Sequence, residues 1–371
     1  MNKQRVLVTG ANGFIAKNLL IRLSEQPDIE TLSFVRGDSS EDLEELVKMA
    51  DVIIHLAAEN RSKVATDFSR NNVDLTSMLC AFIQRTGRNI PLIFTSSVQA
   101  QYDNPYGQSK RAAEVLIETF AAKTKNTAII YRLPGVFGKF CKPYYNSVVA
   151  TFCHNIARDL PLQVNDPDLT IELCYVDDVV DELLLALGKS SPGLLKCDVR
   201  QKYSITLRDL ADQIAAFKNC STSLMLERVG RGLTRALYAT YISCLPPEKF
   251  VYNLNPKLDE RGMFVEMLKT QDCGQFSFFT IAPGITRGSH YHHSKSEKFL
   301  VVSGMVRIRS RHLVTGDTFE VVLSSDRPQV MDTIPGWAHN VTNITKNDAV
   351  VMLWANEIFD PQRPDCIPCE V

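Results

Sequence analysis

Up to about residue 245, short apolar runs alternate with longer segments whose apolar residues recur at helical spacing. Arg5–Val8, Val52–Leu56, Leu92–Thr95 and Ala128–Tyr131 are predicted strands. Phe14–Leu23, Ser77–Gln84 and Lys110–Phe120 are predicted helices. Strand, helix, strand in repetition predicts a parallel sheet covered on both faces. After Leu245-Pro246-Pro247-Glu248 the helical period stops. Gln275–Ile281, Phe299–Ser310, Thr318–Leu323 and Ala349–Ala355 then predict strands separated by Gly and Pro turns. That is an all-β region of about a hundred residues, enough for a closed barrel or sandwich. The expected organisation is an α/β domain at residues 1–247 and an all-β domain at 248–371.

Composition leaves that picture intact and narrows the partners. A chain of 371 residues at 45% hydrophobic can bury two ordinary cores. With 41 Lys and Arg against 42 Asp and Glu, the net charge of −1 gives no electrostatic case for nucleic acid or an anionic membrane. Small molecules are the expected partners. No stretch approaches the roughly 18 consecutive apolar residues of a membrane helix. The opening run from Met1 to Val8 is broken by Gly10, Asn12, Gly13 and Lys17, too early for a signal peptide. Ten scattered Cys fit reduced thiols in the cytoplasm better than a disulfide framework. The lone Cys366-Ile-Pro-Cys369 reads as free thiols on a tail.

Chemistry enters at the first strand-to-helix turn. Thr9-Gly10-Ala11-Asn12-Gly13-Phe14-Ile15-Ala16 places small residues at three-residue spacing, where a backbone turns tightly and approaches a pyrophosphate. His55-Leu56-Ala57-Ala58, at another strand end, would lie beside the same cofactor. Arg36 follows the second strand, Thr31–Val35, where an acid would bind a ribose 2′-hydroxyl. An arginine there suits a 2′-phosphate and favours NADPH, although Asp38 could take the acidic role. Tyr106 and Lys110 are one helical turn apart on one face. A lysine ammonium beside a phenol favours the phenolate and would lower the Tyr106 pKa, letting Tyr106 exchange a proton with a carbonyl oxygen.

Five of the seven histidines fall between residues 290 and 339. His290 and His292, two apart on a strand, point to one face, and a neighbouring turn can bring Glu297 alongside. His339 completes three imidazoles and one carboxylate, a set suited to zinc and to other divalent transition metals. His293 and His312 are expected at the surface or behind the ligands. His55 and His154 are expected to be a packed strand-end residue and a helix-surface residue.

Taken together, these motifs resemble known families. Gly-x-x-Gly-x-x-Ala at residues 10–16 with Tyr106-x-x-x-Lys110 resembles the extended branch of the short-chain dehydrogenase/reductases. The resemblance implies that Lys110 also holds the nicotinamide ribose and that Ser97 hydrogen-bonds the substrate oxygen, with Ser96 as the near alternative. It also places Asn146 against a sugar nucleotide. Gly284-x5-His290-x-His292-x4-Glu297-x6-Gly304, followed by His339-x3-Asn343, resembles the cupin motifs. One departure is that Pro335 and Gly336 are adjacent, where the second motif has a residue between them.

Over nearly the whole chain the combination is similar to the CapF/WbjC family of surface-polysaccharide enzymes. The residues that carry this include Asp103–Gly107, Lys142–Ser147, Glu297–Gly304 and Asn356–Pro361. The family implies a bifunctional homodimer acting on a UDP-linked 4-keto-6-deoxy sugar: a zinc cupin epimerises C3, and the reductase domain reduces C4 with NADPH to UDP-2-acetamido-2,6-dideoxy-L-talose, on the route to UDP-N-acetyl-L-fucosamine. The epimerase base is left open, with Tyr291, His293 and Lys298 near the ligands in sequence. Other readings are a metal-dependent oxygenase or a sugar-binding module fused to the reductase, and a nucleotide sensor without turnover.

Overall fold

The structure is a computed structural model that describes residues 3–61, 68–250, 252–293, 295–313, 315–334 and 336–371. Of the positions discussed above, Met1, Asn2 and Pro335 lie outside the described residues. The chain divides into two compact units, Met1–Ile214 with Arg235–Pro246, and Ala215–Thr234 with Pro247–Val371.

In the first unit, strands β1 (Gln4–Thr9), β2 (Ile29–Phe34), β3 (Val52–His55), β4 (Leu92–Ser97) and β5 (Thr127–Leu133) alternate with helices α1 (Phe14–Ser24), α2 (Ser40–Met49), α3 (Leu75–Thr86) and α4 (Pro105–Thr124). With a further strand at Gly193–Cys197 they form a parallel sheet ordered β2-β1-β3-β4-β5 and then that strand. Val6, Leu7, Ile53, Ile54, Leu92 and Ile93 are fully buried, as strands covered on both faces require. The predicted apolar runs therefore mark the sheet centre, and pairing extends most of them by one or two residues. This is a Rossmann-type fold.

Two local devices set the ends that matter. Gly10 adopts φ +71°, and a Cβ there would lie 2.7 Å from the Ala57 Cα, so only glycine lets the end of β1 approach the chain beyond β3. Asn104 caps α4 by accepting from the Gly107 N–H at 2.8 Å, with Pro105 opening the helix. Tyr106 thus sits in the first turn of α4 and Lys110 in the second.

The second unit is two antiparallel sheets packed over one core. One contains strands at Gly262–Thr270, Gln275–Ile281, Ala349–Ala355, Glu297–Ser303 and Val330–Thr333 in that spatial order. The other contains Thr318–Ser324, Met305–His312, Trp337–Asn343, Thr286–Tyr291 and Ile367–Pro368. Phe279, Ile281, Phe299 and Val301 of the first sheet meet Val306, Ile308 and Val341 of the second. The predicted run Phe299–Ser310 is two strands, not one. Gly304, at φ +82°, turns the chain between sheets, and the strand-favouring residues on both sides of Ser303-Gly304 conceal it in the sequence. Met225 and Leu226 pair in parallel with Lys269 and Thr270, which is why residues 215–234 join this unit although they precede Pro246.

Candidate active site and metal centre

At the carboxyl end of the parallel sheet, the first turn of α1 has no side-chain cap and no acidic residue. Gly13 is its N-cap, and its N–H reaches the Gly10 carbonyl at 2.8 Å. Asn12, Phe14 and Ile15 flank this turn, whose N–H groups and positive dipole end are suited to a pyrophosphate. Ala57 N–H donates to Thr9 Oγ1 at 3.3 Å, so Leu56 and Ala57 lie directly beside the glycine turn. His55 is fully buried, with Nδ1 2.6 Å from Thr9 Oγ1 and Nε2 3.0 Å from Thr76 Oγ1. Burial first, then the Lys110 charge, push its pKa down to about 3, so it is a neutral packing residue. Arg36 is exposed and donates to Glu59 at 2.8 Å. The Asp38 carboxylate is engaged by the Val35 N–H at 2.7 Å.

Tyr106, Ser97 and Lys110 gather at the end of β4. Burial drives the Tyr106 pKa up to about 12, against a hydrogen bond with Ser97 that pulls it down, and the Tyr145 phenol adds to the rise. The expected lowering by Lys110 is not found. The Lys110 ammonium instead donates to the Thr95 carbonyl at 2.9 Å and sits 4.8 Å from the centre of the Phe94 ring. Burial lowers Lys110 itself to about 8, opposed by Glu114 one turn further along α4. Ser97 also caps the following turn by accepting from the Gln99 N–H at 3.1 Å. Ser96 is buried on the Glu114 side of the strand, the opposite side from Tyr106. Asn146 lines an open cleft of about 390 Å³ with Arg61, Tyr145 and Thr151. His154 is half-buried on its helix, edge-on to Tyr144.

In the second unit His290, His292, Glu297 and His339 converge, their ligand atoms all within 4.8 Å of one another. His290 pairs with His339 across adjacent strands. Glu297 Oε2 lies 3.5 Å from His292 Nε2 and 3.7 Å from His339 Nε2, longer than ordinary hydrogen bonds. Those separations approach the ~3.3 Å ligand edge of a tetrahedral site with bonds near 2.0–2.1 Å. Both Nε2 atoms are buried without a hydrogen-bond partner, which costs stability unless something accepts their lone pairs. Burial alone would raise Glu297, but the flanking His292 and His339 and the Lys295 ammonium hold it well below the usual carboxylate range. Burial first, then the neighbouring imidazoles, lower His290 to about 4. His290 is therefore neutral and Glu297 ionised at neutral pH, as ligands of a divalent transition metal must be.

Of the three candidates for a base, Lys298 pairs with Asp332 on the outer sheet face, and His293 is exposed with its ring against Tyr291. His312 packs on Trp337, outside the ligand cluster. The charged side chain that does reach the cluster is Lys295, which is buried and donates to Glu297 Oε1 at 2.7 Å. Nothing in its period marks it, because it lies in the loop between ligands. The tail is also more than free thiols: Ile367 and Pro368 pair with Tyr291 and His290.

Residues 6–196 match the NAD dependent epimerase/dehydratase family, and residues 257–367 match the polysaccharide biosynthesis C-terminal domain. A UDP-2-acetamido-2,6-beta-L-arabino-hexul-4-ose reductase of Pseudomonas aeruginosa is 48% identical over 367 residues, 99% of each chain. The crystal structure of the capsular polysaccharide assembling protein CapF from Staphylococcus aureus superposes over 100% of both chains, with a TM-score of 0.91 and 40% identity. UDP-glucuronic acid 4-epimerase from Bacillus cereus, in complex with NAD, shares the fold over 65% of this chain, with a TM-score of 0.56 and 18% identity. The parallel-sheet unit, the all-β unit and the full-length matches agree: the chain belongs to the NAD dependent epimerase/dehydratase family and, over its whole length, to its CapF/WbjC branch.

Proposed function

We propose that this chain is an NADPH-dependent reductase of the C4 ketone in a UDP-linked 2-acetamido-2,6-dideoxyhexulose, and that its second unit epimerises C3 of the same sugar before reduction. The product is then UDP-2-acetamido-2,6-dideoxy-L-talose, on the route to UDP-N-acetyl-L-fucosamine for surface polysaccharide. The substrate class rests on the name of the Pseudomonas relative. The observation that carries the reading is the meeting of Tyr106 and Ser97 in one unit while four metal-type ligands meet in the other.

NADPH, when bound, supplies hydride to C4. The turn at Gly10, Asn12, Gly13, Phe14 and Ile15, with Leu56 and Ala57 beside it, holds the pyrophosphate side of that cofactor, and Lys110 holds the ribose. Arg36 is free enough to take a 2′-phosphate in place of Glu59, whereas Asp38 is engaged by its own turn. Ser97 positions the ketone oxygen, Asn146 contacts the sugar nucleotide, and Tyr106 donates the proton to that oxygen. A pKa near 12 favours this direction, because the phenol keeps its proton at neutral pH until an alkoxide forms beside it.

A divalent cation such as zinc, when bound by His290, His292, Glu297 and His339, supplies Lewis acidity that stabilises an enolate oxygen and so acidifies C3. Three of the four ligands, His290, Glu297 and His339, are preorganised for it by paired strands. A homodimer belongs to the same reading. Phe276, Leu300 and Met352 lie on the outer face of one sheet, and Phe276 and Met352 are exposed there, a surface that self-association would cover. Among the described residues no helix is long and apolar enough to cross a membrane, in keeping with a cytoplasmic enzyme. The test is NMR identification of the product from a UDP-4-keto sugar and NADPH, with metal content measured on the same sample. A C4 alcohol of unchanged C3 configuration would leave the reductase and remove the epimerase.

A further inference from the structure

We propose that Asp365 is the positioning residue of the metal centre, orienting two of its four ligands from the C-terminal end of the chain. The inference rests on the reading that His290, His292, Glu297 and His339 hold a metal. Three of those ligands, His290, Glu297 and His339, lie on paired strands, and His290 faces His339 across one ladder. His292 instead lies off the strands, in the loop that follows Tyr291, and Glu297 is the first residue of its own strand, so the ladder alone does not orient either side chain.

The C-terminal segment supplies what the ladder does not. Asp365 spends both carboxylate oxygens on this loop, accepting from the His293 N–H at 2.7 Å and the Lys295 N–H at 2.9 Å. Its main-chain carbonyl hydrogen-bonds His292 Nδ1. A carbonyl can only accept, so Nδ1 carries the proton and Nε2 presents its lone pair to the cluster. Lys295, held at its N–H, directs its ammonium to Glu297 Oε1 at 2.7 Å and leaves Oε2 facing the imidazoles. Beyond Asp365 the tail stays anchored: Ile367 and Pro368 pair with the ligand strand, and the Cys369 N–H donates to the Ser289 carbonyl at 2.9 Å. One residue thus fixes the tautomer of one ligand and, through Lys295, the rotamer of another.

Partners behind metal ligands typically contribute 10- to 100-fold to metal affinity. Zinc affinity of the stripped full-length chain, measured by chelator competition, should therefore fall about 10- to 100-fold in Asp365→Ala. Asp365→Asn keeps one acceptor oxygen and should fall between Ala and wild type; it also decides the matter if the alanine variant does not fold. Cobalt(II) bound to the variants should show altered visible bands, because ligand orientation changes, while NADPH binding stays that of wild type. Zinc affinity within twofold of wild type and an unchanged cobalt spectrum in both variants would overturn the role of Asp365 and leave the metal reading standing. A wild-type chain that takes up no more zinc than His339→Ala would overturn the metal reading and this inference with it.

Discussion

Glu114 lies one helical turn beyond Lys110, and Arg132 grips its carboxylate through two contacts of 2.9 and 2.6 Å. The buried Lys110 charge is therefore supported by a carboxylate that is itself held in place. Burial still lowers Lys110 from 10.5 to about 8. Folded Lys110 thus releases its proton before the unfolded chain does, so its charge penalises the folded state below pH 8, and the penalty fades between pH 8 and 10.5. Lys110→Met should stabilise the cofactor-free protein at pH 7 by about 1–3 kcal/mol while abolishing NADPH binding. Urea titrations at pH 7 and 9.5 check this: the gain should shrink at the higher pH. For the same reason Glu114→Gln, which lowers Lys110 further, should move the alkaline loss of NADPH affinity to lower pH.

Tyr106→Phe keeps the ring and removes the proton donor. NADPH oxidation with a UDP-4-keto sugar should fall by ~10²–10⁴-fold. Exchange at C3 should survive, because the metal-type ligands lie in the other unit. Near wild-type turnover in a stopped-flow assay would remove Tyr106 from the role of acid.

Arg36→Ala should weaken NADPH more than NADH, since a 2′-phosphate is the one group that distinguishes them. Fluorescence titration with both cofactors reads the ratio. Equal losses would point to Glu59 and the turn, and away from a phosphate contact.

His339→Ala removes one of the four ligands and should abolish stoichiometric metal binding and C3 exchange while leaving NADPH affinity within about twofold. The basis is that the two cores are separate, one centred on Leu7, Ile53 and Phe94 and the other on Phe279, Val301 and Val341. Metal analysis and cofactor titration on one preparation decide it.

How much of this was legible in the sequence depended on the range of the interaction. The strand centres and the helix carrying Tyr106 and Lys110 follow from local period and spacing, the four-ligand set was implied by the resemblance to the cupin motifs, and the structure brings each of those sets together. The turn at Gly304 was hidden because strand-favouring residues continue on both sides of it. The sign of the Tyr106 shift was missed because burial, which helical spacing does not report, is its largest cause, and the Lys110 ammonium is directed at the Thr95 carbonyl. Lys295 and Asp365 were missed for a third reason. Asp365 works through contacts across 70 residues of chain and through a main-chain carbonyl, and Lys295 acts on Glu297 from a segment without a strand or helix period.

The order of the two chemical steps is the central claim. The C3 proton is acidic only while C4 is a ketone, so epimerisation has to precede the reduction at Tyr106. The most direct test is NMR of the UDP-4-keto sugar incubated with the metal-loaded enzyme in deuterium oxide, first without NADPH and then with it. Without NADPH, deuterium should enter C3 and a mixture of epimers should build up; adding NADPH should draw the mixture to one alcohol. The purified alcohol, returned to the enzyme without oxidised cofactor, should exchange nothing. Deuterium at C3 of that alcohol, or none at C3 of the ketone, would contradict the account.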